Sequence, residues 1–223
     1  MADAFATTDK IKTAVVTGQH PFHVPGLHAA FRSIPDIDFY PQHMEDFAAD
    51  AGRVREQYDV LVFYNFHQAT PSGEGSWWEA GMKAALERLG QTDQGILLLH
   101  HALLAFPEWP FWAELVGIPD RKFEFYIGET VRIEIASPSH PITAGLRPWE
   151  MVDETYLMKS AGEGSEVLLI TEHPKSMRSI GWTHPFEKSR VFCWQSGHDD
   201  RAYAHPSFRE VLARGVRWLA RRI

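Results

Sequence analysis

Cysteine is nearly missing from this 223-residue chain: Cys193 stands alone, so no internal disulfide can form. A reducing cytosol is therefore the expected compartment. Basic excess is missing too. Twenty-two Lys and Arg face 29 Asp and Glu, for a net charge of −7, and the one dense basic spot is the C-terminal tail, Arg214 to Arg222. Such a tail complements a helix dipole, and a nucleic-acid partner is not expected. No apolar run nears the ~20 residues that cross a bilayer, so no membrane association is expected. The opening MADAFATTDKIKT lacks the charged-then-apolar layout of a secretory signal. There is no G-x-G-x-x-G after a strand, no Walker loop, no H-E-x-x-H, no C-x-x-C and no G-x-S-x-G. Nucleotide-cofactor and serine-hydrolase readings lose their support with those motifs.

What is present is histidine, 12 residues of it, together with 8 Trp. Apolar runs at Thr13–Thr17 and Tyr58–Phe66 predict strands, and Gly95–Leu99 predicts one covered on both faces. Strand-like Asp36–Tyr40 and helical patterns over Pro25–Ile34 and Gly73–Leu89 alternate with them. Residues 44–57 read as helical or irregular. This alternation predicts an α/β domain with a mostly parallel sheet. In the middle, Lys122–Ile127 and Thr130–Ala136 alternate polar and apolar residues around Gly128-Glu129, a hairpin pattern. Glu166–Thr171, Arg178–Trp182 and Arg190–Trp194 add strands. Pro206–Ile223 closes the chain as an amphipathic helix with Pro206 in its first turn. One domain over residues 12–223, with a β-rich insertion near 119–160, is expected.

Ligands of open parallel sheets bind outside the carboxyl ends of the strands. The residues that follow each predicted strand are His20 and His23, then His67, then His100 and His101, then His198 with Asp199 and Asp200. Parallel strands would gather these turns on one rim. His100 ends an apolar run, so it is either buried and hydrogen-bonded or presented at the rim. His198 sits in a Gly-His-Asp turn. His67 reads as solvated, His28 as structural, and His140 and His205 as turn or cap positions. His173 and His184 earn no role. Asp153-Glu154 reads either as a solvated acidic loop or as a carboxylate that serves as base or orients an imidazole. Trp109, Trp112 and Trp149 could stack on a sugar but are more simply core. Cys193 reads as an inert packing residue.

The stretches VVTGQHPFH (15–23), YDVLVFYN (58–65), GILLLHHALLAFPEWPFWAELVG (95–117), SHPITAGL (139–146), DETY (153–156) and GWTHPFEKSRVFCWQSGHDDRAYAHPSFREVLARGVRWL (181–219) resemble the ThuA-like (trehalose utilisation protein) family. That family is similar in fold to class I glutamine amidotransferases. The resemblance implies a flavodoxin-like three-layer α/β/α sandwich and a bacterial role in the metabolism of trehalose or keto-sugars. It carries the family's strand-end histidine to His100, its acidic residue to Glu154 and its Gly-His-Asp turn to His198 and Asp199. The early histidine falls best on His23. His100, Glu154 and His198 are thus the candidate catalytic groups, and His23, Asn65, His101, Trp109 and Asp199 the candidate binding groups. Glutaminase relatives carry a cysteine nucleophile in the turn held here by His100-His101, so an acyl-enzyme route is not expected.

Three functions stay open at this point. The chain could be an acid/base enzyme acting on a small-molecule sugar or keto-glycoside. It could be an enzyme dependent on a divalent metal such as zinc, with ligands drawn from His23, His100 and His198 plus Glu154 or Asp199. It could also be a non-catalytic carbohydrate-binding module on an enzyme fold. A homo-oligomer is compatible with all three.

Overall fold

The structure, a computed structural model, describes residues 10–49 and 55–223. Residues 1–9 of the leading segment tested for a signal layout, and residues 50–54 of the 44–57 stretch, lie outside them. The strands are β1 (Ile11–Gly18), β2 (Ile37–His43), β3 (Val60–Asn65), β4 (Gly95–Leu99), β5 (Glu124–Ile135), β6 (Trp149–Leu157), β7 (Glu166–Ile170), β8 (Ser179–Phe186) and β9 (Ser189–Trp194). The helices are α1 (Val24–Arg32), α2 (Met44–Ala49), α3 (Trp77–Leu86), α4 (Pro110–Val116), α5 (Asp200–Ala204) and α6 (Pro206–Leu219).

The strand order is β2-β1-β3-β4-β9-β8-β7-β5-β6. The first five are parallel, and the 2-1-3-4 order is that of flavodoxin-like sheets. Every residue of β3 and β4 is buried, which accounts for their continuous apolar sequences. Helices α1, α5 and α6 pack together as one layer and α2 packs on α3 as another. From β9 onward in the sheet order the strands turn antiparallel.

The middle of the chain corrects the sequence reading. No hairpin turns at Gly128; β5 runs straight through it and pairs with β6, a strand the sequence patterns did not reveal. Between Tyr126 and Glu129, β5 advances three residues while β6, from Thr155 to Asp153, advances two. The extra residue is a β-bulge, and Gly128 takes the left-handed φ of +76° that the bulge requires. A glycine flanked by two alternating runs is the mark of a turn, but one extra residue in an unbroken strand leaves the same pattern. The acidic pair Asp153-Glu154 lies opposite that bulge, buried in β6 rather than in a solvated loop.

The bulge is testable. Gly128→Ala forces a side chain into the left-handed region at a cost of about 1–2 kcal/mol. Urea unfolding should show a lower midpoint with an unchanged slope. An unchanged midpoint would show that this conformation imposes no strain.

Candidate functional site

The chain leaves β4 at Leu99 and turns sharply into a 3-10 turn, His100–Leu104. His100 holds φ at +53°, a left-handed conformation that L residues adopt at a cost of about 1–3 kcal/mol. The tight strand-to-helix turn lifts its side chain to the sheet rim, as a nucleophile elbow lifts its serine. Interior groups fix this turn. The buried Arg121 guanidinium donates to the carbonyls of Leu103 and Phe106, at 3.1 and 2.8 Å, and the Trp112 indole donates to Ala102 at 2.9 Å.

At the end of β9, the Gly197-His198 turn is pinned on both sides. The Asp153 carboxylate accepts the N–H groups of Gly197 and His198, at 2.8 and 3.0 Å, as well as that of Glu154 at 2.9 Å. Tyr64 donates to the Gly197 carbonyl at 2.8 Å and Tyr203 to the His198 carbonyl at 3.1 Å, with the two hydroxyls 2.5 Å apart. Burial pushes the Asp153 carboxyl up, opposed by the charge of His100 and by the three N–H donors.

Glu154 is the meeting point. Its Oε2 lies 2.9 Å from His100 Nε2, 2.9 Å from His198 Nδ1 and 3.2 Å from Tyr156 Oη. Glu154 and Tyr156 are two apart in β6 and so share a face. Tyr156 Oη is also 2.8 Å from His100 Nε2. His100 Nδ1 lies 2.6 Å from the Gln195 carbonyl, an acceptor only, so Nδ1 carries hydrogen. Burial would raise the Glu154 carboxyl, but the hydrogen bonds from His100 and His198 outweigh it and hold it well below the ordinary carboxylate range. The same bond raises His198, against the effect of burial. Burial pushes the Tyr156 phenol up, with the Glu154 charge reinforcing it. His100 is fully buried, whereas the His198 side chain is 18% exposed and opens the centre to solvent.

Two further imidazoles complete the cluster. The His101 ring centre is 5.2 Å from that of His100, and His20 lies 4.2 Å from His101 and 6.0 Å from His198. Burial lowers the affinity of both His20 and His101 for a proton, and the neighbouring His100 lowers it further.

Several sequence candidates lie elsewhere. His23 is exposed at the N-cap of α1, and His20 takes the place in the cluster that His23 was given. Asp199 caps α5 and binds the Arg201 guanidinium at 2.5 and 2.9 Å, so it orients no imidazole; Asp153 anchors that turn instead. Trp109 is buried among Phe106 and Phe111, away from these imidazoles. Asn65 is fully buried with its amide 3.3 Å from His67 Nδ1. His67, read as solvated, is buried against Phe106, and burial beside His43 brings its pKa down to about 4. Cys193 is buried inside β9, and burial pushes its thiol up. Tyr156 carried no role in the sequence reading, while Asp153 entered it only as half of an acidic pair and His20 only through the strand-end rule.

With this geometry in view, comparison with known proteins places the chain. The ThuA family profile, described as trehalose utilisation, matches residues 26–219. A ThuA-like protein from Parabacteroides merdae is similar in structure, with a TM-score of 0.73 and 18% identity over 95% of this chain and 90% of that one. A cytoplasmic protein from Salmonella typhimurium has a TM-score of 0.66 and 11% identity over 92% and 98%. A glutamine amidotransferase from Thermotoga maritima has a TM-score of 0.53 and 10% identity over 93% and 98%. These likenesses establish the fold as glutamine amidotransferase-like. No curated protein matches the chain.

The pKa shifts carry a definite sign. Glu154, held below its ordinary 4.5, adds stability that is present above that pH and is lost as pH falls through its native value. His198, held above its ordinary 6.5, adds stability that is full below 6.5 and is lost as pH rises through its native value. Both contributions are full between pH 4.5 and 6.5. Imidazole NMR on chelator-treated protein should place the His198 pKa above 6.5, and Glu154→Gln should bring it down. The stability gap between wild type and this variant should narrow above that window. A wild-type His198 that titrates at or below 6.5 contradicts the ion pair.

Proposed function

Because the chain belongs to the ThuA family, we propose that it is an enzyme of sugar metabolism that transfers a proton to or from a small sugar or keto-glycoside. The observation that carries this reading is the convergence of His100, His198 and Tyr156 on one oxygen of Glu154. A general acid works best with a pKa near the working pH. His198 suits that role, since Glu154 raises its affinity for a proton while its Nδ1 is occupied and its Nε2 is left for a ligand. In this reading His198 Nε2 passes a proton to a carbonyl or leaving oxygen and takes it back in the reverse direction. Glu154 keeps the imidazolium charged and aimed. His100 and the Tyr156 hydroxyl hold the carboxylate between them and balance its charge during transfer. Glutaminase chemistry has no support, since the elbow turn bears imidazoles and the one thiol is buried in β9. A cytosolic setting is supported by that lone thiol and by the description of the Salmonella relative.

A metal-dependent version of this site is favoured by one observation. His100 Nε2, Glu154 Oε2 and His198 Nδ1 lie 2.9, 2.9 and 3.2 Å from one another. Ligands of tetrahedral zinc, each about 2.0–2.1 Å from the ion, stand about 3.3 Å apart. The donor set therefore fits after a shift of a few tenths of an ångström, with the Gln195 carbonyl as outer partner of His100. Bound there, a divalent ion would polarise a ligand's carbonyl oxygen. His23 and Asp199 take no part in this set.

Turnover of a panel of glycosides and keto-glycosides tests the proposal. Glu154→Gln and His198→Ala should each lose about 100-fold or more in rate while keeping the wild-type circular dichroism. Wild-type turnover in both variants would overturn it. Elemental analysis of tag-free protein separates the two versions: one divalent ion per chain, lost in Glu154→Ala, supports the metal, and retention of full activity after chelation removes it.

A further inference from the structure

Three ring nitrogens beside the Glu154 centre have no protein partner. Both nitrogens of His101 and Nδ1 of His20 are buried without a hydrogen bond among the described residues. The Tyr64 and Pro21 carbonyls approach these rings, but neither meets hydrogen-bond geometry. His101 is only 2% exposed, so solvent does not reach it freely. Buried polar atoms left unpaired are costly, and native proteins leave few of them. The pairing is therefore expected from a guest.

The placement of the two rings says where that guest lies. His20 and His101 are tilted 31° with centres 4.2 Å apart, and they run alongside His198 and His100, which are 5.2 Å apart. His101 forms a floor with His100, while half-buried His20 stands at the mouth with His198. The Phe66 ring meets both edge-on, at 5.7 and 5.9 Å, and closes the outer side. A cleft of about 770 Å³, lined in part by Gln19 and His67, borders the Phe66 ring.

Their hydrogen-bonding character says what the guest is. Neither ring has a carboxylate in hydrogen-bond reach, so each offers one N–H donor and one bare nitrogen acceptor. A hydroxyl group likewise donates and accepts. A carboxylate or a fully ionised phosphate ester only accepts, and would leave the bare nitrogens unpaired. The guanidinium nearest in sequence to His198, Arg201, is already taken by Asp199.

We propose that His20 and His101 read two neighbouring hydroxyl groups of an uncharged polyol and so decide which small molecule the adjacent centre accepts. This assignment rests on the proton-transfer reading of His198 and Glu154, and it places hydroxyls, not a phosphate or carboxylate group, against His20 and His101.

The test follows the imidazole nitrogens by NMR in the Glu154→Gln protein, which retains His20 and His101. Trehalose, glucose and myo-inositol are added separately, and inorganic phosphate and acetate serve as anionic probes. At least one polyol should shift the His20 and His101 ring signals saturably, and the anions should not. His101→Leu and the milder His20→Ala should each weaken that polyol about tenfold, the effect of one or two neutral hydrogen bonds. The proposal fails if none of the three polyols moves these signals, if phosphate or acetate moves them as strongly, or if both variants bind with wild-type affinity. Binding that persists while Glu154→Gln turns over at the wild-type rate would overturn the proton-transfer reading and leave this one standing.

Discussion

The Asp153 carboxylate lies wholly inside the protein, where a charge is tolerated only when its oxygens are paired. Its oxygens are paired with backbone N–H groups of Gly197, His198 and Glu154, so the loop after β9 is tied to β6 before any ligand arrives. That tie brings His198 to Glu154, and Glu154 in turn reaches His100 at the end of β4. The neighbouring strands β4 and β9 and the distant edge strand β6 thus contribute to one centre. Gly197, at φ +117° and with Phe208 3.1 Å from where a side chain would begin, allows the loop to turn tightly enough for both N–H groups to point at one carboxylate.

The β-bulge at Gly128 belongs to the same construction. Bulges bend a strand and re-aim the side chains across from them, and this one faces the β6 segment that carries Asp153 and Glu154. A regular ladder would keep the period-2 alternation of β5 and β6 in step. One extra residue puts the two strands out of phase where the ribbon meets the β4 and β9 turns. His100 and Gly128 both take left-handed conformations near Glu154, strained at the histidine and tolerated without strain at the glycine.

The parts of the sequence that could be read were those whose signal is local. GILLL and VLVFYN are continuous apolar runs because both faces of β3 and β4 are covered, and the strand-end rule then leads to His100 and His198. WEMVDETYL gave no such signal. Its acids are buried because backbone N–H groups and imidazoles from distant turns satisfy them, and no local pattern records that compensation. His20 and His23 stand three residues apart in one loop. Which of them faces inward depends on the left-handed Gln19, at φ +60°, and on the α1 cap, neither of which composition or periodicity discloses. Asp199, beside His198 in sequence, is the nearer candidate for an orienting acid, yet helix capping and Arg201 claim it. Proximity along the chain misleads wherever a short helix begins, because the first acid of the helix is drawn to its own backbone.

The elbow after β4 brings out the logic shared across these folds. A tight turn at the carboxyl edge of a parallel sheet exposes one side chain while neighbouring backbone holds it still. A thiol in that position is a nucleophile. An imidazole there, with its Nδ1 hydrogen bonded to the Gln195 carbonyl, presents a fixed Nε2. The adaptation needed is then an acid placed to meet that nitrogen, and the β5–β6 ribbon supplies it through Glu154. The same fixed nitrogen has the geometry for proton transfer and for metal ligation alike. What distinguishes them is whether the gap among His100, Glu154 and His198 is closed by a shared proton, as the 2.9 Å contacts suit, or opened slightly around an ion.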